Sequence, residues 1–225
     1  MSSRVISVNL GQPRELRWRG KSITTCIFRE PVAGRVAVRR LHLEGDRQAN
    51  LRVHGGADKA VYAYPAEHYD FWRKEFPDMP LPFGWFGENL TIAGLLEPAV
   101  HIGDRLGIGS AEVQVTSPRV PCNTLQAKFE RDDMIERFLA SLRTGFYLAV
   151  LQEGELGAGD AIEVIERDRN RISVTEIARL YALDSPGSDD LQDLRRAAQL
   201  PALPENWRVR LRERIQRIEA GELRA

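Results

Sequence analysis

Residues 102–125 read IGDRLGIGSAEVQVTSPRVPCNTL, and the whole chain is organised around what this stretch does. Gly103-Asp104 suits a tight turn, and Leu106–Ile108 follows it as a short apolar strand. Val113 and Val115 then recur at a period of two, the spacing of a half-buried strand. That strand, read as an edge strand, runs into Pro118 and Pro121. Proline fixes its own φ and biases the preceding residue toward extended backbone, so Arg119 and Cys122 are presented from a stiff loop. Cys122 stands just before a predicted helix.

Outward from this stretch the same texture continues from about Val5 to Arg167. Val5, Ile6 and Val8 open a series of short apolar runs, continued by Ile23–Phe28, Val36–Leu43, Phe146–Leu151 and Ile162–Ile165. Ala158-Gly159-Asp160 launches the last run as Gly103-Asp104 launches its own. Many short strands with regular turns predict a closed or nearly closed barrel. Two helices interrupt them, Pro65–Phe76 and about Asp132–Leu142. Tyr69, Trp72 and Phe76 lie at helical spacing in the first and read as core packing. After Arg167 the chain becomes arginine-rich and helical. Ser173-Val174-Thr175-Glu176 is a capping box opening a helix to about Ala182, and further helices run from Ser188 to Ala198 and from Pro204 to Ile218. The expected fold class is α+β, mainly β: a β-barrel domain over residues 1–168, then a three-helix domain over 171–225.

Composition narrows the function. The 225 residues carry 32 Lys+Arg against 32 Asp+Glu, so formal net charge is zero. No overall field attracts phosphate backbones or anionic lipid. The C-terminal helices imitate a helix-turn-helix, yet their ten arginines face nine acids, which argues against nucleic acid as a partner. Lysine occurs only at positions 21, 59, 74 and 128, which argues against Schiff-base chemistry and pyridoxal phosphate. The N-terminus has no signal-peptide core and the chain no membrane-length apolar run, so the expected location is cytoplasmic. Two cysteines without a C-x-x-C pair exclude a four-thiolate zinc or iron-sulfur site held by this chain alone. In a reducing compartment both remain thiols, with Cys26, in an apolar strand, read as core.

Three clusters carry the chemistry. Cys122 near a helix N-terminus and Arg119 has the setting that favours a thiolate, the soft ligand a sulfur-bound metal prefers. Asp46 precedes the run Val53-His54-Gly55-Gly56, whose paired glycines let backbone approach an anion, with Lys59 available for phosphate. Phe86-Gly87-Glu88-Asn89-Leu90-Thr91 places a carboxylate and an amide between apolar residues, as in a polar turn lining a cavity.

Together these segments resemble the MOSC family, the domain first described at the C-terminus of molybdenum-cofactor sulfurases, and within it the YiiM branch. The resemblance rests on Gly45-Asp46, Val53-His54-Gly55-Gly56, Lys59 through Pro65, Glu67-His68-Tyr69, Phe86 through Leu90, Gly103-Asp104, Pro118-Arg119 and Pro121-Cys122, in that order, and the C-terminal helices match the branch's three-helix appendage. It implies a MOSC-type β-barrel binding the molybdenum cofactor in its molybdopterin mononucleotide form, with Cys122 as metal ligand. It implies further a molybdenum-dependent oxidoreductase that reduces N-hydroxylated compounds, including hydroxylaminopurine-type bases and hydroxylamines, to amines. By charge and position, Arg119, Lys59, Gly55, Gly56, Asn89, Asn123 and Asp46 are expected around the cofactor. His54 and Glu88 are the expected proton donors. Lys21-Ser22 resembles a phosphate-contacting pair of distant MOSC reductases. Gly107-Ile108-Gly109 and Gly157-Ala158-Gly159 lack the rest of a dinucleotide fingerprint, so electrons would come from an external flavin or iron-sulfur reductase, with a small molecule as substrate. A homodimer is left open. Two rival readings use the same cysteine: a sulfur carrier or transferase with a Cys122 persulfide, and a non-enzymatic cofactor-binding module.

Overall fold

The structure, a computed structural model, describes residues 2–49, 55–183 and 188–220. Thirteen strands and six α-helices are found among them. β1 (Arg4–Gly11), β4 (Arg29–Val32), β7 (Val61–Pro65), β8 (Leu90–Ala93), β9 (Arg105–Ile108), β10 (Ala111–Pro118), β11 (Phe146–Gln152) and β13 (Ile162–Glu166) form one eight-stranded sheet ordered β13-β9-β10-β11-β7-β8-β1-β4. All its pairings are antiparallel except β7 with β8. A parallel pair needs a crossover, and helix α1 (Glu67–Glu75) supplies it.

The expected closed barrel is not found among the described residues. The runs that the sequence offers as its staves divide among three sheets. β2 (Arg14–Trp18) and β3 (Lys21–Thr25) pair only with each other, while β5 (Arg35–Arg39) is flanked by β6 (His42–Leu43) and β12 (Gly154–Gly157). The single run Val36–Leu43 is thus broken by a turn at Arg40 and Leu41. The large sheet curls far enough for Ile162 N to donate to Ser3 O at 2.8 Å and for Arg4 to bridge Ala161, yet its strand order stays open. Strand and helix contents are close, 33% and 30%. β10 is not an edge strand either; it lies between β9 and β11, and Pro118 falls at its end, where no further ladder bond is required.

Two apolar cores result. The aromatic stripe of α1 enters one of them: Tyr69 and Trp72 are fully buried with Tyr64, Phe86 and Phe129, and with Phe138 of helix α3 (Met134–Ser141). The other joins the sheet to the C-terminal helices α4 (Val174–Ala182), α5 (Ser188–Ala197) and α6 (Glu205–Glu219), with Ile177, Leu194, Trp207 and Leu211 in the same cluster as Val5, Leu106 and Phe146. Ser173 caps α4 as expected, accepting from Glu176 N at 3.1 Å while the Glu176 carboxylate accepts from Ser173 N. Asp104 pins the link into these helices, accepting from Arg167 at 2.6 Å and from Asp168 N at 2.9 Å. Across the expected boundary at residues 168–171 the apolar packing is therefore continuous.

Candidate functional site

β10 delivers the site. Its Thr116 hydroxyl is held between the carbonyls of Asp58 and Tyr147 at 2.7 and 3.1 Å, which ties the 3₁₀ turn Ala57–Lys59 to the strand. Beyond Pro118 the chain leaves the sheet, and Cys122 becomes the N-cap of the short helix α2 (Asn123–Phe129), with extended φ of −133°. Its side chain is half-buried and lies on the walls of two cavities, as do those of Lys59, Val120 and Tyr147.

The first cavity, about 170 Å³, is bounded by the end of β3, the Gly87–Asn89 turn and the Arg119–Thr124 loop. Arg29, Arg47, Lys59 and Arg119 line it, and among the described residues no carboxylate does. In a chain of zero net charge this concentration of cations is a local construction for an anion. Arg119 is its sharpest element. It is 6% exposed, its guanidinium stacks 5.4 Å from the Tyr62 ring and 5.2 Å from the Phe138 ring, and its Nη1 is buried without a hydrogen-bond partner. A buried donor left unsatisfied is costly, so its occurrence on a cavity wall marks where a ligand atom belongs. Burial raises the phenols of Tyr62 and Tyr147, against the opposing pull of Arg119, so both keep their protons at neutral pH. Burial also pulls the Lys59 ammonium below its ordinary value; Asp58 opposes this and Arg210 adds to it.

Asp46 is 2% exposed and organises this wall from behind. It accepts from Arg29 Nη2 at 2.7 Å, Asn89 Nδ2 at 2.9 Å and Gly11 N at 2.8 Å. Asn89 in turn accepts from Tyr62 N at 3.1 Å, and Arg29 donates to the Gly87 carbonyl. Gly87 has φ of +77°, and a Cβ there would sit 3.0 Å from Ile27 Cγ1, so the turn takes no larger residue without strain.

The sequence-derived residues divide accordingly. Cys122, Arg119, Lys59 and Asn89 meet at the first cavity, and Asp46 supports it without lining it. Glu88 lines neither cavity. It is fully buried in a chain of hydrogen bonds, accepting from Tyr69 at 2.5 Å, Thr91 at 2.8 Å and Gly84 N at 2.8 Å, and burial raises its carboxyl. Its Oε2 is buried without a hydrogen-bond partner, and its neighbours Gly87 and Asn89 line the first cavity. Gly55, Gly56 and Asn123 line neither cavity, Asn123 being exposed on the first turn of α2. Lys21-Ser22 opens β3 exposed, away from both. His54 lies outside the described residues. Cys26, read as core, is buried but on the first cavity's wall, and burial raises its thiol. Arg29 and Tyr147 were missed, and Arg47 and Tyr62 stood in runs already singled out but without a role; the four come from separate segments, and no local signal announces their convergence.

The MOSC domain pattern matches residues 50–163, and that of the YiiM-like, 3-alpha helix domain matches residues 172–217. The chain belongs to the MOSC domain family. It is 42% identical to an uncharacterized protein, YflK, of Bacillus subtilis, over 95% of each chain. The crystal structure of YiiM from Geobacillus stearothermophilus matches with a TM-score of 0.79 at 33% identity, covering 95% of this chain and 99% of that one. A protein described as a reductase from Gibberella moniliformis is 32% identical over 72% of this chain, which spans only 29% of that protein.

The family implies a molybdenum-cofactor-binding domain, and the residues fit such a group. A phosphorylated pterin is anionic and offers acceptors to the buried Arg119 Nη1 and to the other three cations. Among the described residues no cluster of three or more His, Cys, Asp or Glu could hold a bare metal ion. No described helix is long and apolar enough to cross a membrane.

Proposed function

We propose that this chain is a molybdenum-cofactor-dependent reductase of N-hydroxylated compounds, among them hydroxylaminopurine-type bases, which it converts to amines. The overall reaction takes R–NHOH, two electrons and two protons to R–NH2 and water. When bound, the molybdenum supplies a centre that accepts the hydroxyl oxygen while changing oxidation state. The protein's part is to hold, orient and protonate. Cys122 Sγ would ligate the metal, and Arg119, Arg29, Arg47 and Lys59 would neutralise the cofactor's phosphate and the polar edge of its pterin. Tyr147, which lines both cavities and keeps its phenolic proton at neutral pH, would give a proton to the departing oxygen. Electrons would come from a separate flavin or iron-sulfur reductase in the cytoplasm.

The observation carrying this reading is the cavity beside Cys122, lined by four cations and, among the described residues, by no carboxylate, with the Nη1 of Arg119 left unsatisfied. The likeness to a protein described as a reductase supports its redox part. The test is metal and pterin analysis of native and Cys122→Ala protein purified from a host that makes the cofactor, together with reduction of a hydroxylaminopurine. Expected are stoichiometric pterin and molybdenum in the native protein, and retained pterin with lost molybdenum and lost reduction in the variant. Neither pterin nor metal in either protein overturns the reading. Sulfane sulfur on Cys122 in place of metal would then install the sulfur-transfer alternative.

A further inference from the structure

Lys128 sits in the last turn of α2, the helix that Cys122 caps, and is 8% exposed. It does not line the first cavity. Its ammonium donates to the Ile27 carbonyl at 3.1 Å, a bond between residues 101 apart in the chain. Cys26, Ile27 and Phe28 fall between β3 and β4 and belong to neither strand, so no ladder fixes this stretch, although Cys26 and Ile27 line the cavity. The same ammonium is 5.0 Å from the centroid of the Phe28 ring and 4.7 Å from that of Trp85. Trp85 stands two residues before Gly87, which also lines the cavity. One buried side chain thus touches the stretch after β3 and the turn leading to Gly87, and it is carried by the helix that follows Cys122.

The charges around it respond to what the cavity holds. Burial pulls the Lys128 ammonium from 10.5 down to about 7; Glu88 opposes this, and Arg29, Arg119 and Arg14 add to it. Arg29 is paired with Asp46 at 2.7 Å and Arg14 with Glu30 at 2.6 Å, whereas Arg119 makes no ion pair among the described residues and keeps Nη1 unsatisfied. Arg29 and Arg119 both line the cavity. An anion bound between them offsets their repulsion of Lys128 and leaves the attraction of Glu88 in place.

We infer that Lys128 is a positioning residue for the anion site: its ammonium holds three walls of the first cavity together, and binding of the anion draws a proton onto it. The inference rests on the anion site of the function proposed above. Lys128 touches no ligand and acts through the Ile27 carbonyl, the two rings and α2. Anion affinity is then highest where the amine is protonated, and it falls as pH rises past neutrality.

Calorimetric titration of the full, cofactor-free chain with sulfate tests this, because the charge of sulfate is constant across the range. It is run at fixed ionic strength in pairs of buffers that differ in ionisation heat. An anion that favours the ammonium tenfold should bind about eightfold more tightly at about pH 6 than at about pH 9, and should take up about half a proton at about pH 7.5. Lys128→Met should show the weaker, high-pH affinity throughout with that uptake gone. Lys128→Arg should keep the tighter, low-pH affinity throughout, since arginine stays charged and can still donate to Ile27 O. A merely structural lysine would give neither pattern. Lys59 is the rival titrating cation, lining the cavity itself and faced by Asp58 and Arg210. A pH dependence that survives in Lys128→Met and disappears in Lys59→Met overturns the inference, as does binding that is lost in Arg119→Met yet independent of pH in the native protein; either result leaves the anion site standing. No sulfate binding at any pH, or binding that survives Arg119→Met, overturns the anion site and this inference with it.

Discussion

Replacing Arg119 by Met separates a residue kept for the fold from one kept for a ligand. The guanidinium is buried, makes no ion pair among the described residues, and leaves Nη1 unsatisfied. Removing that donor should return about 1–3 kcal/mol to the ligand-free protein. Loss of the two stacked contacts with Tyr62 and Phe138 withdraws roughly 0.5–2 kcal/mol each. Met fills most of the arginine stem's volume, so packing changes little. The opposing effects nearly cancel, and the melting temperature of cofactor-free protein should move by no more than about 4 °C, given about 2–4 °C per kcal/mol for a chain of this size. Cofactor binding has no such compensation. Two charge-assisted bonds at about 1.5–3 kcal/mol each correspond to at least a hundredfold loss of affinity, on the scale of about 1.4 kcal/mol per decade. The assay is differential scanning fluorimetry of the cofactor-free proteins alongside pterin retention after gel filtration. A fall of more than about 10 °C would show that Arg119 is structural, and native-like pterin retention in the variant would refute the anion-site argument outright.

Asp46→Ala should behave in the opposite way. It strands the half-buried Arg29, whose side chain is 12% exposed, and removes acceptors from Asn89 and Gly11. The expected loss is about 3–5 kcal/mol, a fall on the order of 10 °C in melting temperature; an unchanged melt would mean that the network is ornamental. A pH test comes from Lys128, which donates to Ile27 O at 3.1 Å between the Phe28 and Trp85 rings, and whose ammonium burial pulls from 10.5 down to about 7. Between those values the unfolded chain holds a proton that the folded chain has released, so native stability rises with pH across that window. Lys128→Met lacks this dependence. Its melting temperature should exceed the native protein's most at or below pH 7, with the gain shrinking toward pH 10; a gain independent of pH contradicts the assignment.

Much of the site was visible in the sequence because its central elements are local. Pro118, Arg119, Pro121 and Cys122 lie within five residues, and two prolines constrain backbone whatever surrounds them. Gly87 and Asn89 were marked by their polar turn for the same reason. Glu88 stands between Gly87 and Asn89, which line the first cavity, without lining it itself; sequence order does not say which of three consecutive residues borders a cavity. Arg29 and Tyr147 carried no local mark, and Arg47 only its place after Asp46. They are set beside Arg119 only by the pairing of β1 with β4, the Asp46 anchor and the ladder between β10 and β11.

The sequence alone determined the helices that follow Arg167, the capping of α4 by Ser173 and Glu176, the strands around Val5, Leu106, Val113, Phe146 and Ile162, and the stiff loop that presents Cys122; β2, β4, β7, β8 and β12 carried no such mark. These depend on side chains within a turn or a strand of one another. Tertiary structure decided that the short strands divide among three sheets and do not close into one barrel. It also decided that the C-terminal helices wall the second cavity, and that four cations from distant segments face the first with no carboxylate among the described residues there. Strand partners and cavity walls depend on contacts between residues far apart in the chain, and a period of two or 3.6 residues holds no information about which distant partner buries a given face.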